Sequence, residues 1–248
     1  MNEQQKEFLQ FLTLLENNNV LDHVIILGSW AEFIYANSEI LPDYPLTLRT
    51  LDVDFLVKNV RRPTTPVNLT TLAIENGYDF AKDVMYGTTK IITPGGMEIE
   101  FLIAQKGSGI EPVLKTNLGV NAQALRHMEM LINNTVSTNF VGLNVHVPCP
   151  ESYVLHKMVI NKERESAKKV KDAQAIVNLL PYVNMEILTT IFKGLTKKEK
   201  AEVRTFIELD NKSLPHEIPL AAKVRFAELK TKTSPDPPAS KEKNLELQ

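Results

Sequence analysis

Residues 48–57 read Leu-Arg-Thr-Leu-Asp-Val-Asp-Phe-Leu-Val, an apolar run that contains two carboxylates, Asp52 and Asp54. In a β-strand, residues two apart point to the same side of the sheet, so both carboxylates share one face while Val53 and Phe55 face a core. Neighbouring carboxylates repel each other, and Mg²⁺ relieves such repulsion by binding carboxylate oxygens together with substrate phosphates. The stretch therefore predicts a magnesium site, with a solvated acidic edge strand as the alternative.

A second polar feature follows the short apolar run Val24 to Leu27, which predicts a buried strand. Gly28-Ser29 comes directly after it, and residues 30–35 favour a helix. A strand, Gly-Ser and a helix in this order can hold a phosphate, because glycine allows close approach of the backbone and the helix N-terminus offers unpaired N–H groups. Ser29 would either bind phosphate or simply cap the helix. The chain has no Gly-Lys-Ser/Thr string at this turn, which excludes a P-loop.

A third polar feature lies in a predicted hairpin, in which strands 88–92 and 97–103 are joined through Pro94-Gly95-Gly96. Glu98 and Glu100 share one face of the second strand, opposite a buried apolar face. Either glutamate could supply a third carboxylate to a metal site, and a half-solvated strand is the alternative interpretation.

Composition indicates an ordinary globular protein, with 43% hydrophobic and 23% charged residues among 248. A net charge of −2 leaves no overall field that would recruit nucleic acid, so any basic site must be local. The single cysteine, Cys149, fits a reducing compartment. We expect a cytoplasmic protein without a membrane segment, because the first ten residues lack a signal-peptide pattern and no apolar run approaches membrane-spanning length.

Residues 151–180 combine an apolar side with a basic side. Placed on one helix, Lys157, Asn161, Arg164, Lys168 and Lys171 form a narrow stripe. The stripe predicts phosphate contacts if it lies beside a nucleotide site, and a solvated lysine face otherwise. Two helices with a break near Ser166 would disrupt the single stripe.

Other patterns complete the expected architecture. We predict helices at 3–17, 66–76, 122–132 and 186–230, a strand at 141–147, and loops at 37–50 and 108–120. The fold class is α/β (α+β), with a small mixed β-sheet core and flanking helices at 1–148. A helical domain at 149–230 and a disordered tail at 231–248 follow.

Together these motifs resemble the polymerase-β-type nucleotidyltransferase superfamily: Gly-Ser at a strand–helix turn, Asp-x-Asp on a strand, and a later third carboxylate. The fuller resemblance is to its bacterial branch that includes the AbiEii-type toxins. Residues 49–55 (Arg-Thr-Leu-Asp-Val-Asp-Phe) resemble that branch, as do 147–151, His156-Lys157, Arg164 and 171–175. The interval from Ser29 to Asp52 is longer than in the minimal pattern, and glutamate stands where the third aspartate is usual.

The resemblance implies nucleotidyl transfer from an NTP, with two Mg²⁺ ions, or Mn²⁺ as the alternative ion. The implied metal ligands are Asp52, Asp54 and Glu100. As the third carboxylate, Glu100 matches the family pattern better than Glu98 does. Nucleotide contacts would come from Gly28, Ser29, Arg49, Lys157, Arg164 and Lys168, and Lys157 and Asp172 are implied as helpers of catalysis. The implied acceptor is an RNA (tRNA) 3′ end or a protein hydroxyl, and an antitoxin protein is an implied partner.

Three other classes of protein remain compatible with the sequence. A metal-dependent glycosyltransferase also uses Asp-x-Asp, although nothing here resembles its sugar-nucleotide domain. A degenerate nucleotide-binding module would keep the fold without catalysis. A plain interaction protein would carry these carboxylates by coincidence.

Overall fold

The computed structural model describes residues 2–45, 50–105, 107, 112–208 and 214–234. Its strands are β1 (Val24–Ile26), β2 (Asp52–Val57), β3 (Asp79–Lys82), β4 (Thr89–Ile92), β5 (Glu98–Ala104), β6 (Val113–Lys115), β7 (Asn121–Leu125), β8 (Thr135–Phe140) and β9 (Leu143–Pro148). Its helices are α1 (Glu3–Asn17), α2 (Gly28–Ala36), α3 (Leu69–Glu75), α4 (Met128–Asn133), α5 (Pro150–Ile160), α6 (Ser166–Leu179), α7 (Met185–Gly194), α8 (Lys197–Ile207) and α9 (Leu220–Thr233).

The main sheet is mixed and centred on β5. Strand β2 runs parallel to β5 on one side and pairs antiparallel with β1 beyond it. On the other side, β4 pairs antiparallel with the first half of β5, and β7 pairs parallel with its second half. Strands β3 and β6 extend these two branches, and β8 and β9 form a separate hairpin. This mixed sheet with flanking helices confirms the predicted α/β class.

The two faces of the sheet are covered differently. Val53 and Phe55 of β2 lie on the face that packs on α1 and α2, where Phe11 contacts the Phe55 ring at 5.7 Å between centroids. On the opposite face, Leu56 and Leu102 pack beneath α4 in a small second cluster. Because alternate residues share a face, Asp54 and Glu100 lie on this same face, next to the end that α4 covers.

Several predicted boundaries are wrong. Residues 122–132 do not form one helix, because 121–125 join the sheet as β7 and the helix starts only at Met128. The predicted loop 108–120 contains β6, and strand β3 was not predicted. Of the two alternatives for 151–180, the single helix is wrong and the break near Ser166 is confirmed: the chain is extended at Arg164 and Glu165, and α6 starts at Ser166. Helix α9 continues to Thr233, and the rest of the predicted tail, from residue 235, lies outside the described residues.

The hydrophobic core is continuous across the predicted boundary at residue 148. Buried residues from α1 to α9 form one cluster. The Tyr35 hydroxyl donates a hydrogen bond of 2.7 Å to the Pro148 carbonyl, which fixes the point where β9 leads into α5. The helices after residue 148 therefore share one hydrophobic core with the part of the chain that precedes them.

A buried glutamate on α1 holds the turn between β4 and β5. Glu7 is only 8% exposed and accepts hydrogen bonds from the Thr93 hydroxyl at 2.7 Å and from the Gly95 N–H at 2.6 Å. A Cβ atom on Gly95 would overlap the Glu7 carboxylate. The first helix thus fixes the hairpin that presents Glu98 and Glu100.

Gly95→Ala should lower the free energy of unfolding by about 2 kcal/mol, because the new methyl group forces the Glu7 carboxylate away from its two donors. Urea denaturation would measure the loss. Gly194→Ala is the matched control, since a Cβ there meets nothing within 4 Å. Equal stability changes in the two variants would contradict the proposed clamp.

Candidate active site

The carboxylates of β2 and β5 lie side by side. The parallel register pairs Asp52 with Glu98 and Asp54 with Glu100. Paired residues of neighbouring strands point to the same side, so all four carboxylates share the face of the sheet that carries Leu56 and Leu102. The sequence predicted each pair separately, and the parallel pairing of β2 with β5 brings them together.

Asp54 is shielded from water and lies close to two other carboxylates. Burial raises the pKa of its carboxyl from 3.8 to about 6, and the charges of Glu100 and Asp52 add to the effect. The positive charges of Arg164 and Lys157 act in the opposite direction. A bound divalent cation would offset both the loss of hydration at Asp54 and its repulsion from Glu100 and Asp52.

Lys90 on β4 was not predicted as a site residue. Its ammonium donates to Glu98 Oε2 at 2.6 Å and to Glu100 Oε1 at 2.7 Å, and these hydrogen bonds raise the pKa of the lysine. Lys90 lies directly across the hairpin from Glu100. The signal was present in the sequence, because the predicted hairpin places Lys90 opposite Glu100 once its register is counted from the turn.

The Gly28 turn borders the carboxylate group. Gly28 has a φ of +64°, and a Cβ built on it would lie 3.5 Å from Asp54 Oδ2. The N–H of Leu27 donates to the Asp54 carbonyl at 2.9 Å. Helix α2 begins at Gly28, two residues earlier than predicted, and it has no side-chain cap. Ser29 therefore lies within the first helical turn, so its interpretation as the capping residue is wrong.

Helix α5 is joined to the Gly28 turn by a buried tyrosine. The Tyr153 hydroxyl lies 2.9 Å from the Gly28 carbonyl oxygen and 2.8 Å from Glu32 Oε1, so one proton is shared between two acceptors. The Tyr44 hydroxyl donates to the other Glu32 oxygen at 3.0 Å. Burial, followed by the Glu32 charge, raises the pKa of Tyr153. No local sequence pattern indicated this group, because its members are far apart in the chain.

The second half of the site is built on a buried ion pair rather than on a basic stripe. Asp172 is 3% exposed and accepts from Lys157 Nζ at 2.7 Å and from Arg164 Nε at 3.2 Å. The side chain of Lys157 is only 14% exposed and lies 4.8 Å from the Tyr153 ring centroid. The expectation of a solvated front is therefore wrong for Lys157, although its charge still acts on Asp54.

The remaining members of the predicted stripe separate. Asn161 is buried and donates to the Lys169 carbonyl at 3.0 Å, which is a structural role. Lys168 is exposed on α6, one turn before Asp172, and Lys171 is exposed as well. Arg49 lies outside the described residues, so its predicted nucleotide contact has no structural description.

Residues 6–193 match the model of a protein family described as nucleotidyltransferase. The chain belongs to this family. This nucleotidyltransferase-family protein is also similar to the crystal structure of an antigenic nucleotidyltransferase-like protein from Paracoccidioides brasiliensis, at 14% identity and a TM-score of 0.43. That alignment covers 92% of this chain and 88% of the other. No curated protein matches the chain. Within the described ranges, no helix is long and apolar enough to cross a membrane.

The carboxylates of this nucleotidyltransferase-family protein suit one divalent ion whose remaining ligands are phosphate and water. Among the residues that the structure describes, they do not form a site in which the protein supplies every ligand. In the described part of the chain, no three His, Cys, Asp or Glu side chains are already arranged around a metal position. Mg²⁺ needs only one or two carboxylates when phosphates and water complete its shell. Asp52 and Asp54 meet that requirement, because they lie two apart on one face of β2 and, among the described residues, neither forms an ion pair with a lysine or arginine. Oxygens of Glu98 and Glu100 are already bound by Lys90.

Proposed function

We propose that the protein is a Mg²⁺-dependent nucleotidyltransferase that moves NMP from an NTP to a hydroxyl acceptor. The observation that carries this proposal is the in-register pairing of Asp52 and Asp54 with Glu98 and Glu100, directly beside the Gly28 turn. Family membership favours nucleotidyl transfer over the sugar-nucleotide and interaction-protein alternatives.

Each residue has a role that follows from its position. Asp52 and Asp54 would hold Mg²⁺, or Mn²⁺ in its place, and the bound ion would neutralise charge on the phosphates and on the departing pyrophosphate. Backbone N–H groups at the start of α2, with the Ser29 hydroxyl, would hold phosphate oxygens. Glu100 would accept the proton of the attacking hydroxyl.

Positive charge for the nucleotide would come from the second half of the site. Lys157 and Arg164 both act electrostatically on Asp54, which places their field at the carboxylate group. Asp172 holds both cations and would fix their direction toward the phosphates. Lys168, exposed one turn away on α6, and Arg49 are proposed as further nucleotide contacts.

The proposed acceptor is an RNA 3′ end, with tRNA as the class that the AbiEii resemblance suggests. The same resemblance suggests a toxin that is held inactive by an antitoxin protein. Transfer to a protein hydroxyl is the second candidate, since the site requires only a hydroxyl near Glu100. A degenerate module that binds nucleotide without transfer is the third.

Incubation with each α-³²P-labelled NTP, Mg²⁺, and total cellular RNA or protein distinguishes these candidates. We expect label on RNA that disappears after nuclease treatment. Label that remains on protein after nuclease would select the protein acceptor. Nucleotide binding without label on RNA or protein would select the degenerate module. The absence of both nucleotide binding and label would refute the proposed function.

A further inference from the structure

Lys90 binds Glu98 and Glu100, the two carboxylates that β5 contributes to the site. Its ammonium lies 2.6 Å and 2.7 Å from one oxygen of each glutamate. We infer that this protein binds a single divalent ion, at Asp52 and Asp54, and that Lys90 supplies a fixed positive charge on the Glu98–Glu100 side. This inference rests on the proposed nucleotidyl transfer and replaces the expectation of two ions.

The place of Lys90 in the sheet is set by backbone pairing, which keeps its side chain within reach of both glutamates. Lys90 pairs directly with Glu100 in the antiparallel β4–β5 ladder, and Glu98 is the next residue on the same face. Glu7 of α1 holds the turn of this hairpin by accepting a hydrogen bond from the Gly95 N–H. The lysine therefore stays beside both glutamates as long as the hairpin is folded.

A second divalent ion would compete directly with this ammonium. Paired divalent ions in phosphoryl-transfer sites lie about 3.5–4 Å apart and share carboxylate oxygens. With Lys90 within hydrogen-bond distance of both glutamates, such an ion would have to displace it or lie against a like charge. One lysine charge also offsets part of the excess negative charge of two glutamates, which weakens the electrostatic demand for that ion.

Asp54 differs in this respect. Among the described residues, no lysine or arginine forms an ion pair with Asp52 or Asp54, whereas Lys90 is bound to both glutamates. Lys157 and Arg164 are themselves bound to Asp172. Repulsion between Asp52 and Asp54 therefore still favours binding of a cation. On the Glu98–Glu100 side, the Lys90 ammonium already offsets part of the negative charge.

Equilibrium dialysis with Mn²⁺ and non-hydrolysable analogues of the four NTPs, in parallel, tests the inference without measuring activity. The quantity measured is the ratio of extra Mn²⁺ to extra nucleotide analogue in the protein chamber. We expect a ratio of about one for the wild-type chain. Lys90→Met should raise the ratio to about two, because Glu98 and Glu100 lose their ammonium partner.

Two further variants serve as controls. Lys90→Arg keeps the charge and should keep a ratio of about one. Lys82→Met removes an exposed lysine from the neighbouring strand β3 and should also leave the ratio unchanged.

A ratio of two in the wild-type chain would overturn the inference even if Lys90→Met failed to fold. A ratio of one in folded Lys90→Met would overturn it as well. Retention of no analogue by the wild-type chain would instead refute the proposed function, and the inference would fail with it.

Discussion

Asp54→Asn should slow nucleotidyl transfer by about a thousandfold, because losing a transition-state metal ligand costs several kcal/mol and each 1.36 kcal/mol is a factor of ten. The substitution keeps the size of the side chain and removes only its charge. Single-turnover rates with α-³²P-NTP would measure the effect. Asp79→Asn, which removes an exposed carboxylate from β3, is the matched control and should leave the rate unchanged. Undiminished transfer by Asp54→Asn would contradict the assigned role.

The same substitution should raise stability, in the opposite direction to its effect on rate. The pKa of Asp54 is higher in the folded chain, about 6, than its ordinary value of 3.8, so the charged form disfavours folding. Above pH 6, this cost is at most about 3 kcal/mol, and Asp54→Asn removes it. As the pH falls from 6 to 3.8, wild-type Asp54 takes up its proton in the folded state and the advantage of the variant disappears. Urea denaturation at pH 8 and pH 4 would show this convergence.

Asp172→Asn should destabilise the fold by about 3 kcal/mol or more, the second large effect. Asp172 is buried and holds both Lys157 and Arg164, so the variant leaves a largely buried ammonium without its charge partner. Nucleotide affinity should fall as well, because the two cations lose their fixed direction. Thermal denaturation and nucleotide titration would measure the two effects.

An exposed ion pair provides the control for Asp172. Glu228→Gln removes the partner of Arg225 in a pair whose side chains are about one-third exposed, and we expect a loss of less than about 1 kcal/mol. The double variant Lys157→Met/Asp172→Leu should recover stability without recovering nucleotide affinity. If Asp172→Asn were as mild as Glu228→Gln, the buried pair would have no structural importance.

The sequence predicted the parts of the site that depend on local periodicity. Strand alternation placed Asp52 with Asp54, and Glu98 with Glu100, without any knowledge of which strands are neighbours. The Gly28 turn was also predicted, because a glycine between an apolar run and a helical run is typical of a strand-to-helix turn. The parallel pairing of β2 with β5 is a long-range choice that no local pattern encodes.

The errors have identifiable physical causes. Residues 121–125 contain two alanines and favour a helix locally. They form β7 instead, because they pair with the second half of β5. The basic stripe assumed one unbroken helix, whereas the extended Arg164 and Glu165 turn the chain so that Arg164 and Lys157 meet at Asp172. The hydrogen bonds of Glu32 were not predicted, because its partners Tyr44 and Tyr153 are 12 and 121 residues away in the chain.

The hydrogen bond network of Tyr153 has a consequence for how substrate enters. The Tyr153 hydroxyl joins the turn at Gly28 to α5, the helix that carries Lys157. Neither element can move away from the other without breaking these hydrogen bonds. Closure of a helical lid over the nucleotide is therefore disfavoured. A nucleotide bound between them would meet residues that are already in position, so little of its binding energy would be spent on ordering the protein.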